Sequence, residues 1–181
     1  MEGLFLIEPQ VFRDERGFFL ETYQAQRYRD AGMSVDLIQD NHSCSKKGVL
    51  RGLHFQVKYP QAQIVYVPRG HIFDVVVDLR PWSTTFKRWF GIELSDECPR
   101  QLYMEGGFAH GFLVLSDVAD VCYKVSRFYD SNDEGGLLWC DPDIGIKWPI
   151  KRPNVSSRDA LFPRINQIHK TKLPHKTNKT N

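Results

Sequence analysis

Three histidines and one carboxylate are the residues whose surroundings could turn them to chemistry. His54 lies in VLRGLHFQ (49–56), His110 in EGGFAHGFLVLSD (105–117), and His71 and Asp74 share HIFDVVVDLR (71–80). Strand alternation puts His71, Phe73, Val75 and Val77 on one face of the last run and Ile72, Asp74, Val76 and Asp78 on the other. Asp74 is therefore flanked by apolar neighbours. An unpaired buried charge is costly, so such an acid needs a hydrogen-bonding partner or a task. The same alternation puts Arg51 with Leu53 and Phe55, and His54 with Leu50, Gly52 and Gln56. Alone, His54 reads as either a satisfied core histidine or a site residue. The glycines around His110 allow a ligand to approach closely or the chain to bend.

The histidines do not form the close HxH pair with a following Glu that a cupin-type metal site shows, and no metal is expected. An iron triad of two His and one carboxylate converging from separate segments is left open by the spacing. Cys44, Cys98, Cys122 and Cys140 contain no CxxC pair; they read as buried or incidental thiols rather than zinc ligands or a disulfide framework. No GxGxxG follows a strand, and GxxxxGK[ST], GxSxG and HExxH are missing from the sequence, which removes the common nucleotide-binding and hydrolase signatures.

The elements that must position these residues are short and β-rich. Val/Ile-rich and aromatic runs at 49–57, 63–70, 71–80, 88–94, 111–116 and 120–129 are separated by turn signals such as Tyr59-Pro60, Arg80-Pro81, Gly106-Gly107 and Asn132–Gly136. Helical periodicity is confined to 21–31 and to a turn at Ser156–Leu161 behind a serine cap. This pattern predicts an all-β jelly-roll sandwich or barrel with a few short helices. With 181 residues, 41% of them hydrophobic and 25% charged, one domain with a sizeable core is expected over 1–162. Residues 163–181 carry Arg164, Lys170, Lys172, Lys176 and Lys179 and no acid, and read as a basic, flexible tail. The body has no basic stripe, so no nucleic-acid partner is expected. No run approaches the ~20 apolar residues of a membrane span and the N-terminus lacks a signal-peptide pattern, so a cytoplasmic protein with no membrane partner is expected.

Taken in order, these segments resemble the nucleotide-sugar 3,5-epimerases of the dTDP-4-dehydrorhamnose 3,5-epimerase family. The resemblance runs through FRDERGFFLETY (12–23), QDNHSCSKKGVLRGLHFQ (39–56), GHIFDVVVDLRPWSTTF (70–86), LYMEGGFAHGFLVLSD (102–117), YKVSRFYDSNDEGGLLWCDPDIGIKWP (123–149) and SSRDA (156–160). It covers about residues 4–162, and the RGLHFQ and FAHGF elements carry most of its specificity.

The resemblance implies a cupin-like jelly roll that dimerises, uses no metal or other cofactor, and binds a nucleotide sugar, dTDP-linked or CDP-linked. The implied reaction is proton abstraction beside the 4-keto group of a nucleotide-linked 6-deoxyhexose, then reprotonation on the opposite face at carbon 3, carbon 5 or both. An imidazole, with an ordinary pKa of about 6.5, suits a general base for such a proton. His54 matches the family base, Asp159 its carboxylate partner, and Tyr123 the acid on the other face. Arg51 matches a phosphate ligand. Arg16 matches one supplied by the partner subunit, with Phe12 and Glu21 toward the base and ribose. Gln39 and Asn41 lie on the polar approach, and Asp74 and His110 belong to the sugar pocket. Gln63 stands where the family commonly has a lysine, and Phe128 where many relatives have a tyrosine. A 3,4-ketoisomerase of nucleotide sugars and a catalytically weak nucleotide-sugar-binding jelly roll are the alternative readings. Precursor synthesis for cell-surface polysaccharide, the O-antigen of lipopolysaccharide included, is the expected pathway.

Overall fold

The computed structural model describes residues 1–33 and 35–176. Its strands are β1 (Leu4–Ile7), β2 (Val11–Asp14), β3 (Gly17–Leu20), β4 (Gln39–Lys46), β5 (Val49–Gln56), β6 (Gln63–Arg69), β7 (His71–Asp78), β8 (Trp89–Ser95), β9 (Gln101–Met104), β10 (Phe108–Val114), β11 (Val118–Val125), β12 (Glu134–Gly136) and β13 (Asn154–Val155). Two sheets form the sandwich. One has the order β1-β9-β6-β11-β4; the other runs β12-β5-β10-β7-β8, with β13 added beside β5. Strands β2 and β3 make a separate two-stranded hairpin. This is the expected jelly-roll class, built almost wholly from antiparallel pairs.

The strand runs close on two buried layers. Val65, Val67, Ile72, Val76, Leu102, Met104, Phe112 and Val121 fill the space between the sheets. Leu53, Phe55, Val75, Val77 and Ala109 face outward, where Leu137, Ile144, Ile165 and Leu173 cover them. The second sheet is thus buried on both faces, which is why β7 and β10 read as nearly continuous apolar runs. Ile72 and Val76 fall on one face and Phe73, Val75 and Val77 on the other, as the alternation predicts.

Two expectations need correction. The helix expected over 21–31 is shorter, α1 (Ala25–Asp30). The Thr22 carbonyl is drawn out of any helix by accepting from the Gln101 amide at 2.8 Å and the Tyr28 hydroxyl at 3.1 Å. The segment after residue 162, read as a flexible tail, is held against the body of the protein as far as His175. Ile165 and Leu173 are buried, the Ile165 N–H donates to Asp141 Oδ2 at 2.6 Å, and the His175 N–H donates to the Val57 carbonyl at 2.8 Å. Burying one such aliphatic side chain contributes roughly 1.5–3 kcal/mol, enough to order a short segment despite its cations. Lys179 lies outside the described residues. The cysteines are free, and Cys44, Cys98 and Cys140 are exposed rather than buried.

Candidate active site

The site begins with an irregularity in β5. His110 on β10 faces His54, but two residues further along Phe112 faces Arg51, so Gly52 and Leu53 together oppose Gly111. This is a β-bulge, and it adds one residue to the count on β5. Gly52 has φ +117°, which glycine adopts without a Cβ penalty. A Cβ on Gly52 would lie 2.7 Å from Gly111 Cα, and one on Gly111 would lie 2.6 Å from the Arg51 carbonyl oxygen. Strict alternation separates Arg51 from His54; the extra residue resets the phase, and both line one cavity.

Behind His54 sits helix α2 (Ser157–Ala160), whose first turn is held by Ser156, its Oγ accepting from the Asp159 N–H at 3.1 Å. That cap fixes Asp159, 3% exposed, against β5. Asp159 Oδ1 is 2.9 Å from His54 Nε2, and Oδ2 accepts from the Gly52 N–H at 3.1 Å. Burial alone would raise the carboxyl, but the His54 and Gly52 hydrogen bonds outweigh it and hold the pKa at about 2. When His54 donates Nε2–H to Asp159, Nδ1 keeps its lone pair and can act as a base.

Asp159 also ties the site to stability. Its folded pKa lies below the unfolded value of about 3.9. Its contribution, on the order of 2 kcal/mol, is therefore present above pH ~4 and is lost as pH falls toward 2. Asp159→Asn should lower the urea midpoint at pH 7, and its difference from the parent should shrink steadily between pH 5 and pH 2. A difference that does not change with pH would rule out this role.

The cavity occupies about 810 Å³ between the two sheets, within the ~300–1,000 Å³ usual for small-molecule sites. Gln39, Asn41, Arg51, His54, Gln63, His110, Tyr123 and Asp159 all line it. His54 stands on β5 of the second sheet, whereas Tyr123 stands on β11 of the first. The imidazole and the phenol thus rise from opposite walls. Burial pushes the Tyr123 phenol up, with the Arg51 charge partly opposing, so it carries its proton at neutral pH. Arg51 Nε donates to Ser45 Oγ at 3.0 Å. His110 Nε2 is 2.8 Å from Asp74 Oδ2, which gives Asp74 the partner its buried position requires. Three side-chain oxygens, Asp74 Oδ1, Gln63 Oε1 and Ser43 Oγ, are buried with no partner among the described residues.

Five of the sequence candidates do not line this cavity. Asp74 meets it only through His110, whose imidazole it holds. Phe12 and Arg16 lie on the β2–β3 hairpin, where Arg16 pairs with Asp14 at 2.5 Å. Glu21 pairs with Arg27 at 3.0 Å. Phe128 is 71% exposed, and its neighbour Tyr129 lines the cavity in its place. Sequence reasoning missed Tyr129, Glu134 and Arg158. The last two bridge at 2.7 Å beside His54, and the available signal for Arg158 was its place directly before Asp159 in SSRDA. Among the described residues no group of three or more His, Cys, Asp or Glu is placed to hold a metal ion, and no helix is long and apolar enough to cross a membrane.

The sequence matches the family profile described as dTDP-4-dehydrorhamnose 3,5-epimerase over residues 1–167. It is 50% identical over 170 residues to a dTDP-4-dehydrorhamnose 3,5-epimerase of Methanothermobacter thermautotrophicus, covering 92% of each chain. It is 43% identical over 162 residues to a dTDP-4-dehydrorhamnose 3-epimerase of Streptomyces niveus, covering 88% of this chain and 78% of the other. A crystal structure of dTDP-6-deoxy-D-glucose-3,5-epimerase from Legionella pneumophila, in complex with dTDP-4-keto-L-rhamnose, superposes with a TM-score of 0.94 at 43% identity. That match covers 98% of this chain and 96% of the other.

Proposed function

Because this chain belongs to the dTDP-4-dehydrorhamnose 3,5-epimerase family, we propose that His54, Asp159 and Tyr123 carry its reaction on a dTDP-linked sugar. The protein is an isomerase that epimerises a nucleotide-linked 4-keto-6-deoxyhexose at carbon 3, carbon 5 or both. The observation that carries the residue assignment is the placement of His54 and Tyr123 on facing sheets. A sugar ring lying between the sheets presents one face to each.

His54 Nδ1 removes the proton beside the ketone, and the electron pair of the broken C–H bond moves onto the carbon-4 oxygen as an enolate. Asp159 holds the ring by Nε2 and stabilises the imidazolium that forms. Tyr123 then delivers its phenolic proton to the opposite face of the same carbon, and the configuration inverts. Arg51 reaches toward the diphosphate, where a guanidinium suits phosphate oxygens. His110, held by Asp74, orients the sugar together with Gln39 and Asn41. The test is incubation with dTDP-, CDP- and GDP-linked 4-keto-6-deoxyhexoses in deuterated water, followed by NMR. Deuterium at carbon 3 or 5 with the dTDP sugar, ahead of the others, is expected; none with any of the three would overturn the assignment.

Gln63 sets the rate. The enolate oxygen needs a hydrogen-bond donor, and a charged donor forms a bond roughly twice as strong as a neutral amide. With glutamine where relatives commonly have lysine, epimerisation at carbon 3 alone should outrun the double reaction. Gln63→Lys is expected to raise exchange about tenfold and shift the ratio of the two positions. If neither changes, Gln63 does not contact the enolate.

We place the enzyme as a cytoplasmic homodimer serving cell-surface polysaccharide synthesis, the O-antigen included. Exposed free thiols at Cys44, Cys98 and Cys140 fit a reducing compartment. The β2–β3 hairpin supports the dimer: it leaves Phe12, Phe18 and Phe19 exposed, and an isolated two-stranded hairpin is marginal in water. A second copy would cover these rings and receive Arg16, Phe12 and Glu21 at its own cavity mouth. Light scattering should give twice the chain mass. Mixing inactive Arg16→Ala and His54→Ala proteins should restore roughly a quarter of the parent activity, because each heterodimer regains one complete site. A monomer, or mixing without recovery, would refute the shared site.

A further inference from the structure

The Asp159 hydrogen bond fixes one atom of the His54 ring but not its plane. Nε2, 2.9 Å from Asp159 Oδ1, lies close to the Cβ–Cγ axis, so rocking about χ2 moves it little. Nδ1 lies further off that axis and swings more. The χ2 torsion of a histidine is broad, so packing has to set it. The ring that packs on this imidazole is Phe162, with centroids 5.5 Å apart and planes at 88°, within the favoured range for an edge-to-face pair. We propose that Phe162 is a positioning residue, whose ring holds the plane of the His54 imidazole so that Nδ1 stays turned into the cavity while Nε2 stays on Asp159. Phe162 is not among the residues that line the cavity, so it acts through His54 and not on a ligand.

The slot for this ring is built by a glycine. Gly136 on β12 stands directly opposite His54 on β5, and residues paired in this way project from the same face of a sheet. A Cβ at Gly136 would lie 2.2, 2.3 and 2.4 Å from Phe162 Cδ1, Cε1 and Cγ. The ring thus occupies the space that a cross-strand neighbour of His54 would otherwise fill. Gly136 is not among the glycines with positive φ, so it is the ring, and not the path of the backbone, that requires a glycine here. The chain carrying Phe162 is pinned on both sides. Its N–H approaches the Asp159 carbonyl at 3.4 Å, and the Pro163 carbonyl accepts from the Leu138 N–H at 2.9 Å. A proline at 163 also disfavours helical backbone for the residue before it, so α2 stops and the Phe162 side chain falls across β12. Residues 159 to 162 therefore deliver two restraints on the base, a carboxylate for one nitrogen and an aromatic wall for its plane.

This inference rests on His54 being the base, and one arm of its test does not depend on activity. Deuterium exchange into a dTDP-linked 4-keto-6-deoxyhexose is compared among full-length variants that circular dichroism shows to be folded. Phe162→Ala should lower kcat about 10–100-fold with KM and dTDP affinity within about twofold, since misplacing a catalytic group by ~1 Å costs on the order of 10² in rate. Phe162→Tyr, which keeps the ring, should stay within about threefold of the parent, and Phe162→Leu should fall between. Gly136→Ala, which expels the ring, should match Phe162→Ala; added to Phe162→Ala it should cost little more, because the space is then empty. In aromatic ¹H–¹³C NMR the His54 signals, identified by their loss in His54→Asn, should be single and sharp in the parent and broadened or doubled in Phe162→Ala. If Phe162→Ala does not fold, Phe162→Leu against Phe162→Tyr carries the same comparisons. A folded Phe162→Ala with kcat within about threefold of the parent, additive losses in the double variant, or His54 signals as sharp as the parent's would overturn the inference and leave the epimerase assignment intact. Absence of exchange in the parent with every sugar nucleotide would instead overturn that assignment, and the NMR comparison would still decide whether Phe162 orders the ring.

Discussion

His54→Ala is expected to lower deuterium incorporation at carbons 3 and 5 by about 10³–10⁴-fold while leaving dTDP affinity within about threefold. In the proposed reaction the imidazole accepts the proton of the reacting carbon, whereas Arg51 is assigned to the diphosphate, away from that carbon. The loss should therefore fall on kcat and leave binding nearly untouched. Removing the ring also leaves Asp159 Oδ1 with only the long Arg158 contact, so some loss of stability accompanies the change. Calorimetry with dTDP separates the two effects, since a folded variant that binds normally and does not exchange has lost chemistry alone. Exchange within about tenfold of the parent would show that another group takes the proton.

Tyr123→Phe should produce a different defect. With His54 and Asp159 intact, the proton still leaves and returns on the same face, so deuterium washes in with retention. Delivery to the opposite face loses its acid, and formation of inverted product should fall by about 10²–10³-fold. No hydrogen bond from the Tyr123 hydroxyl to another described residue is present to be lost, and the ring still packs against the core, so folding should be preserved. The measurement is the ratio of exchange to inversion at each carbon. If the two fall together, the opposite-face donor is not Tyr123.

The parts of this protein legible in its sequence are those governed by local periodicity and capping. The strand runs at 49–57, 63–70 and 71–80 match β5, β6 and β7 within two residues at either end, because β-branched and aromatic residues fit a pleated surface. Ser156 marks its helix because a serine oxygen satisfies the first free N–H groups. The side of β5 that Arg51 occupies was not legible. The bulge depends on how Gly52 meets Gly111, a contact between strands nearly 60 positions apart, and no window along one strand contains it. Arg158 was hidden for a related reason, since its partners His54 and Glu134 come from β5 and β12. The segment after 162 misled through composition: its cations are conspicuous, while Ile165 and Leu173 have significance only against the outer face of a sheet folded earlier in the chain.

The two glycines at the bulge also constrain how this sequence can drift. A side chain at either position would drive a carbon into the backbone of the other strand, and relieving the clash would move Arg51 and His54 apart. Neither glycine can be exchanged first with the other following to compensate, because each clash is with main chain, which no second substitution removes. Positions 52 and 111 are thus a point from which single mutational steps lead only downhill. A lineage that gives up the chemistry should lose these glycines early, alongside the histidine they place. A pseudogene or a repurposed binding protein on this fold could then be recognised by bulky residues at 52 and 111 before its catalytic side chains are examined.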